Sequence, residues 1–277
     1  MQLRIVHDTH YRYGQAASLI IQALRMWPAP SAGQEVKDWQ VDVDGRPLQP
    51  TCTDGFGNQV ATHTIDHMVE SVRLSVRGRV DTHDLHGVHG GKELLPPMFF
   101  LTATELTVCT PQIVELARAA AVKGSELERL HRLSNAVRDH VDYLPHLTHA
   151  ETTAAEAFAA GAGVCQDHAH VLISAARSVD FPARYVSGYL FSVDDAAAAS
   201  HAWAEIFVSD LGWVGFDAAN RQSPDERYVR IASGRDYRDA APVRGVHQGG
   251  LAETLEVEVT IDERMPMSQT QSQGRNA

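Results

Sequence analysis

Gly161-Ala162-Gly163-Val164-Cys165-Gln166-Asp167-His168-Ala169-His170 places one thiol where a glycine-rich turn meets an apolar helix. Ala169, Leu172, Ile173 and Ala176 follow at helical spacing, and Pro182 ends the helix by about Val179. Backbone N–H groups at a helix start lack intrahelical partners and carry partial positive charge, so a thiolate or an oxyanion placed there is stabilised. Further along, Ser200-His201-Ala202-Trp203 and Gly215-Phe216-Asp217 lie on segments that alternate like strands. Cysteine, histidine and aspartate thus fall within one short block.

Working outward, the block is bracketed by helices before it and strands after it. Pro111 to Val122 and Ser125 to Val141 carry apolar stripes of period 3.6, with Ser125 and Glu128 forming a capping box. Thr152 to Ala160 reads as a short helix ended by Gly161. Strands are predicted over Ala183 to Leu190, His201 to Val208 and Trp213 to Phe216. Ahead of the helices, Leu3 to His7, Ile20 to Arg25, Trp39 to Val43 and Ser71 to Val76 alternate with period two. Turn signals at Val43-Asp44-Gly45-Arg46 and Asp54-Gly55-Phe56-Gly57-Asn58 separate them. The expected fold class is α+β: an N-terminal antiparallel β-sandwich-like domain over 1–97, then a core of helices packed on an antiparallel sheet over 98–267. The His- and Gly-rich run closed by Pro96-Pro97 reads as a linker or exposed loop. Leu255 to Ile261 reads as an edge strand, and the polar tail 268–277 has nothing to bury.

Composition narrows the function classes. The chain has 277 residues, 44% hydrophobic and 21% charged, with a formal net charge of -11. That charge disfavours nucleic acid and anionic membranes as partners, since both are bound mainly through clustered Lys and Arg. No stretch approaches the roughly 20 apolar residues of a membrane span, and Met1 to Asp8 lacks the apolar centre of a signal peptide, so a cytoplasmic location is expected. Cys52, Cys109 and Cys165 are too few and too scattered for a disulfide framework or a four-cysteine zinc site. Cys52 and Cys109 are read as small packed side chains, and no cofactor is implied.

Cys165, His201 and Asp217 have a chemistry in common. A thiol attacks a carbonyl as thiolate, which calls for a nearby base, and a carboxylate on the base's other ring nitrogen holds its tautomer and orientation. If Ser209-Asp210-Leu211-Gly212 turns the chain into a hairpin, His201 and Asp217 share a face only with an odd loop or a bulge, because strand side chains alternate. Trp203, Tyr185 and Tyr189 are read as sheet packing.

The ordered segments Gly161 to Asp167, Pro182-Ala183-Arg184-Tyr185-Val186-Ser187-Gly188-Tyr189, Ser200 to Glu205 and Gly212 to Asp217 resemble the bacterial transglutaminase-like superfamily, whose members are often described as cysteine proteases. Gly234-Arg235-Asp236-Tyr237 and Pro242-Val243-Arg244-Gly245 resemble that family's C-terminal region. Tyr11-Arg12-Tyr13, Leu24 to Pro28 and Asp54 to Asn58 resemble its N-terminal β-domain. The resemblance implies a papain-like core with Cys165 as nucleophile, His201 as general base and then acid, and Asp217 as orienting group. It implies acyl transfer from an amide through a thioester, with a protein or peptide as substrate. Hydrolysis is expected over crosslinking, and a binding module without activity is the rival reading. Family members commonly show Asp-Pro-Thr-Asn at the orienting carboxylate, whereas Asp217-Ala218-Ala219-Asn220 lacks the proline and threonine.

Fifteen histidines raise the question of a metal. His63-Thr64-Ile65-Asp66-His67 echoes an inverted zinc-protease pattern but has Asp for Glu and lies among strands where a helix is required. His83, His86 and His89 recur every third residue in what reads as a solvated loop. His168, three residues after Cys165, is a candidate for tuning the thiol's surroundings, and Tyr143 is considered as an oxyanion donor. Asp194-Asp195 reads as an exposed loop beside the cleft.

Overall fold

In a computed structural model that describes residues 1–29, 31–91, 93–192, 199–250 and 252–263, the chain builds two antiparallel sheets around a central helix. The N-terminal region contributes β1 (Gln2–Leu24), β2 (Gln34–Val43), β3 (Arg46–Leu48), β4 (Cys52–Thr53), β5 (Gln59–Ile65) and β6 (Val69–Thr82). Then come α1 (Pro111–Ala120), α2 (Glu126–His140), β7 (Asp142–Tyr143), α3 (Ala154–Ala160), β8 (Ala162–Gly163) and α4 (Cys165–Arg177). The chain continues through β9 (Ala183–Leu190), β10 (Ala199–Val208), β11 (Gly212–Phe216), β12 (Tyr228–Gly234), α5 (Tyr237–Ala240), β13 (Val243–Gly249) and β14 (Glu253–Glu263).

β1 organises the first sheet. The two segments expected at its ends are one 23-residue strand, carried past Gly14 by a register shift between Arg12 and Ala17. β5 and β6 follow one another antiparallel to β1, from Leu24↔Ala61 to Gln2↔Asp81. β13 and β14 do the same, from Leu24↔Val243 to Leu3↔Glu263. The result is one curled, eight-stranded antiparallel sheet. The C-terminal strand therefore hydrogen-bonds to the N-terminal sheet, with β14 at its edge. Its inner face closes over Ile20, Leu24, Trp27, Val41, Ile65 and Leu74, which form a core of their own.

The second sheet has the order β11-β10-β9-β12. Ala202, Ala204 and Ile206 of β10 pack on Ala169, Leu172, Ile173 and Ala176 of α4, with Ile113 of α1, Leu130 of α2 and Ala157 of α3 in the same cluster. α4 is buried from Asp167 to Arg177, so it is a core helix rather than a surface amphipath. Each fully buried leucine or isoleucine here contributes about 1.5–3 kcal/mol. Leu3, Ile5 and Val80 of the first sheet belong to this cluster too, so the two sheets share buried surface.

Beyond β6 the chain runs as a largely exposed loop, as one of the two expected readings had it, and it is tied down at β11. Val88 bridges to Val214, and the N–H of His89 donates to the carbonyl of Trp213 (2.8 Å), docking the segment on β11. Arg177, buried with no carboxylate contact among the described residues, clamps the following turns by donating to Phe100 O (2.8 Å), Thr107 Oγ1 (2.7 Å), Ala183 O (2.8 Å) and Arg235 O (2.7 Å). Among the described residues no helix is long and apolar enough to cross a membrane.

Candidate active site

α3 is capped by Gly161 in the left-handed conformation (φ +64°), which turns the chain into β8. β8 pairs in parallel with β7, and Val164 then presents its N–H to Asp167 Oδ2 (2.7 Å). The same oxygen accepts from Thr148 Oγ1 (2.7 Å), so Asp167 caps α4 from inside its first turn. Gly163 makes room for this, because a Cβ there would lie 2.6 Å from Asp167 Cβ and Oδ2. Gly163→Ala is accordingly expected to destabilise the fold by about 1–3 kcal/mol, read as a lowered urea midpoint. Cys165 is half-buried at the first residue of α4.

The β10–β11 hairpin pairs Ala204 with Phe216 and Val208 with Gly212, leaving the three-residue loop 209–211. That loop is odd, as the parity argument requires, so Asp217 falls on the face of β10 that carries His201 and Trp203. His201 Nε2 donates to Asp217 Oδ2 at 2.7 Å, and the ring lines the same cavity as the thiol of Cys165. With Nε2 on the carboxylate, Nδ1 is left for the sulfur. Burial works against charge on His201, but the hydrogen bonds and negative charge of Asp217 and Cys165 outweigh it and raise its pKa to about 10.

Asp217 is buried and held from every side. Oδ2 also accepts from Asn220 Nδ2 (2.7 Å) and the Tyr228 hydroxyl (2.7 Å), while Oδ1 accepts from the Asn220 N–H (3.2 Å). Burial opposes its charge, yet these donors and the His201 ring hold the carboxyl below its ordinary range. Mutual backbone bonds between Asp217 and Gln222 (2.8 and 3.2 Å) close the turn without the proline and threonine of the family pattern. Gln222 in turn donates to the Tyr228 hydroxyl (2.6 Å).

Above the thiol lies a cavity of about 380 Å³, walled by Cys165, His201, Tyr143 and Tyr185 from the core and by His7 and Val257 from the first sheet. Residues 115–218 match the family model described as Transglutaminase-like superfamily, and residues 3–81 match Bacterial transglutaminase-like N-terminal region. The chain carries a transglutaminase-like core behind a bacterial transglutaminase-like N-terminal region. An uncharacterized protein of Mycobacterium leprae is 29% identical over 288 residues, covering 94% of this chain and 98% of that one. An uncharacterized protein of Mycobacterium tuberculosis is 27% identical over 287 residues, covering 94% and 91%. Among solved structures, a "Putative Cysteine Protease" from Cytophaga hutchinsonii superposes with a TM-score of 0.73 at 23% identity, covering 96% of this chain and 92% of that one. At that identity the likeness speaks to the fold.

Other sequence expectations for the transglutaminase-like core are redrawn by the structure. His168 does not face the thiol: it is buried, with Nδ1 on Val164 O (2.8 Å) and Nε2 on Val141 O (2.9 Å), and it ties α4 to the end of α2. Cys52 is exposed rather than packed, because it lies on the short strand β4, and Cys109 is half-buried. Tyr143 lines the cavity, 44% exposed. His63 lies within strand β5. His86 is exposed beside Asp84, whereas His89 is half-buried with Nδ1 on Ser31 Oγ (3.2 Å), so the third-residue spacing brings no cluster together. No group of three or more His, Cys, Asp or Glu is gathered as a metal site among the described residues. Asp194-Asp195 and the tail 268–277 lie outside the described residues.

At the site itself, strand β12 and its Tyr228 escaped the sequence reading, as β5 and β13 did elsewhere in the fold. A second part of β12, Arg230, joins Arg184 around Glu205 under the sheet. Glu205 accepts from Arg184 Nε (2.6 Å) and Arg230 Nε (2.9 Å), and Arg184 makes a second, bidentate pair with Glu93 (2.7 and 3.0 Å). The Arg184 guanidinium also stacks over Trp213, 4.1 Å from the ring centroid.

Proposed function

We propose that the protein is a thiol-dependent amide hydrolase or acyltransferase of cysteine-peptidase type, with Cys165 as nucleophile, His201 as base and then acid, and Asp217 as orienting group. The observation that carries the reading is His201, held by Asp217 through Nε2 and lining the same cleft as Cys165. The sulfur attacks the carbonyl carbon of an amide, and the oxyanion forms beside the Cys165 N–H at the start of α4. The His201 imidazolium gives its proton to the departing nitrogen, leaving a thioester and a neutral ring. Water then attacks while His201 takes its proton, and the carboxylic acid leaves as the thiol is restored. A primary amine in place of water gives crosslinking, but water is always present and reaches a thioester unless it is actively excluded, so hydrolysis is favoured. Three free cysteines suit a reducing compartment such as the cytoplasm.

Alkylation kinetics test the thiol. Cys52 is the exposed cysteine and Cys165 is half-buried, so reactivity governed by access alone would label Cys52 first. Iodoacetamide at pH 7 is expected to label Cys165 at least about tenfold faster, as mapped by peptide mass spectrometry. Faster labelling of Cys52 or Cys109 in the folded protein would leave the binding-module reading in place. A peptide screen with and without a primary amine, following ammonia and new termini, then separates peptidase, deamidase and crosslinking activity.

A further inference from the structure

The cavity above Cys165 holds more than the triad needs. Its wall carries His7, Thr9, Tyr185 and Ser187, each 5% exposed or less. Three of these four are satisfied inside the protein: His7 Nδ1 pairs with the Tyr189 hydroxyl (2.8 Å), His7 Nε2 with Thr9 Oγ1 (2.9 Å), and Ser187 Oγ donates to Ala240 O (2.7 Å). The Tyr185 hydroxyl alone takes no hydrogen bond among the described residues. Nor is it sealed in, as the unpaired His170 Nδ1 beside it is, so the little surface that Tyr185 keeps includes its oxygen and opens on the cavity.

That oxygen is held in place. The Tyr185 ring lies 5.1 Å from the His170 ring and meets Tyr237 edge to face at 6.1 Å, and His170 Nε2 accepts from the Tyr237 N–H (3.1 Å). His170 is on α4, so the helix that presents the thiol also backs the tyrosine. A buried tyrosine normally finds a partner for its hydroxyl. Here the partner has to come from what enters the cleft, water or substrate.

The rest of the wall decides between candidates. Val164, Ala202, Val243, Leu255 and Val257 are apolar, and no Lys, Arg, Asp or Glu lines the cavity among the described residues. A charged side chain would give up its water there without a counter-ion. A purely apolar one would displace water and strand the Tyr185 hydroxyl. Asparagine and glutamine bring both an acceptor and an NH₂ group, more than one hydroxyl can pair. An aromatic ring with a single hydroxyl meets both demands, and about 380 Å³ has room for it. We infer that this cavity is a specificity subsite for a tyrosine side chain of the substrate peptide, its ring against the apolar wall and its hydroxyl paired with that of Tyr185. This rests on the amide-directed reading of Cys165. Tyr185 selects the substrate and takes no part in the chemistry.

Binding without turnover separates this inference from the chemistry. Blocked heptapeptides with a central glutamine, each carrying one tyrosine at a scanned position, are titrated against Cys165→Ala protein, beside matched peptides with phenylalanine, glutamate or arginine in its place. At one or two positions tyrosine is expected to bind about five- to tenfold tighter than phenylalanine, and at least about tenfold tighter than glutamate or arginine. Adding Tyr185→Phe, with circular dichroism confirming the fold, is expected to bring the tyrosine-to-phenylalanine ratio to one or below. A tyrosine that only packed the sheet would, on replacement, leave that ratio unmoved. An unmoved ratio, phenylalanine binding as tightly as tyrosine at every position, a charged residue binding as well as tyrosine throughout, or no peptide binding at all would overturn the subsite. Failure of the catalytic reading would register elsewhere, as slow alkylation of Cys165 in the wild-type protein.

Discussion

Asp217→Asn is expected to lower kcat/KM for a peptide amide by about 10²–10⁴-fold while the protein stays folded. Asp217 Oδ2 accepts from His201, Asn220 and Tyr228 at 2.7 Å each, so the site is a ring of donors around one acceptor. An asparagine there either turns its NH₂ toward one of those donors or offers a neutral oxygen that no longer holds the His201 proton on Nε2. Both outcomes release the ring that faces Cys165. The pH dependence changes in a defined direction. His201 is raised from 6.5 to about 10, so its stabilising contribution is fully present below about pH 6.5 and is lost as pH climbs toward 10. Asp217 is shifted the other way, and its contribution is present above about pH 3.8 and lost as pH falls through its depressed value. In Asp217→Asn the alkaline limb of kcat/KM, where the imidazolium loses its proton, is expected to move to lower pH. The fall in stability between pH 6.5 and 10 is expected to flatten. A variant with wild-type kcat/KM and an unmoved alkaline limb would remove Asp217 from the mechanism.

The candidate site was more legible in the sequence than the sheet that roofs it, for a physical reason. Cys165 announces itself because Gly161 and Gly163 are demanded by local geometry, a left-handed cap and a close approach to Asp167. His201 and Asp217 are legible as a base and a carboxylate on strand-like segments, and the requirement that they share a face is met by the three-residue loop that the structure shows. Tyr228 gave no such signal. β12 is buried at all seven positions, so its pattern does not alternate and reads as neither strand nor helix. β1 looked like two strands because Gly14-Gln15-Ala16 interrupts the apolar alternation, and only pairing with β6 and β13 shows it to be continuous. The return of β14 to β1 joins residues about 250 positions apart, and no local pattern records a contact of that range. The same pairing brings Leu255 and Val257 to the cleft beside His7, Thr9 and Tyr11, so the cleft's shape depends on the least legible part of the fold.

Glu205→Gln is expected to cost about 3–5 kcal/mol of stability, more than any other single substitution considered for this protein. Glu205 is 3% exposed, and burial alone would favour its neutral form, but Arg184 and Arg230 outweigh that and hold the carboxyl well below its ordinary range. Its contribution is therefore present above about pH 4.5 and is lost only as pH falls through the depressed value. The two arginines differ in what they would lose. Arg184 keeps its bidentate pair with Glu93 and its stack on Trp213, whereas the Arg230 guanidinium, 10% exposed, pairs with no other carboxylate among the described contacts. The expected cost is thus mainly that of one stranded guanidinium, and it makes a second prediction. Arg230→Met added to Glu205→Gln should recover part of the loss, because a similar-sized apolar chain needs no counter-ion. Urea unfolding of the two variants at pH 7 checks both statements. If Glu205→Gln costs under about 1 kcal/mol, the trio behaves like a solvated surface pair, which its burial forbids. His201, Trp203 and Glu205 alternate on one face of β10, and Trp203 packs edge to face on Tyr228 at 5.3 Å. Loosening the buried charges is therefore expected to reach the site through β10 and β12, slowing alkylation of Cys165 even where the variant remains folded.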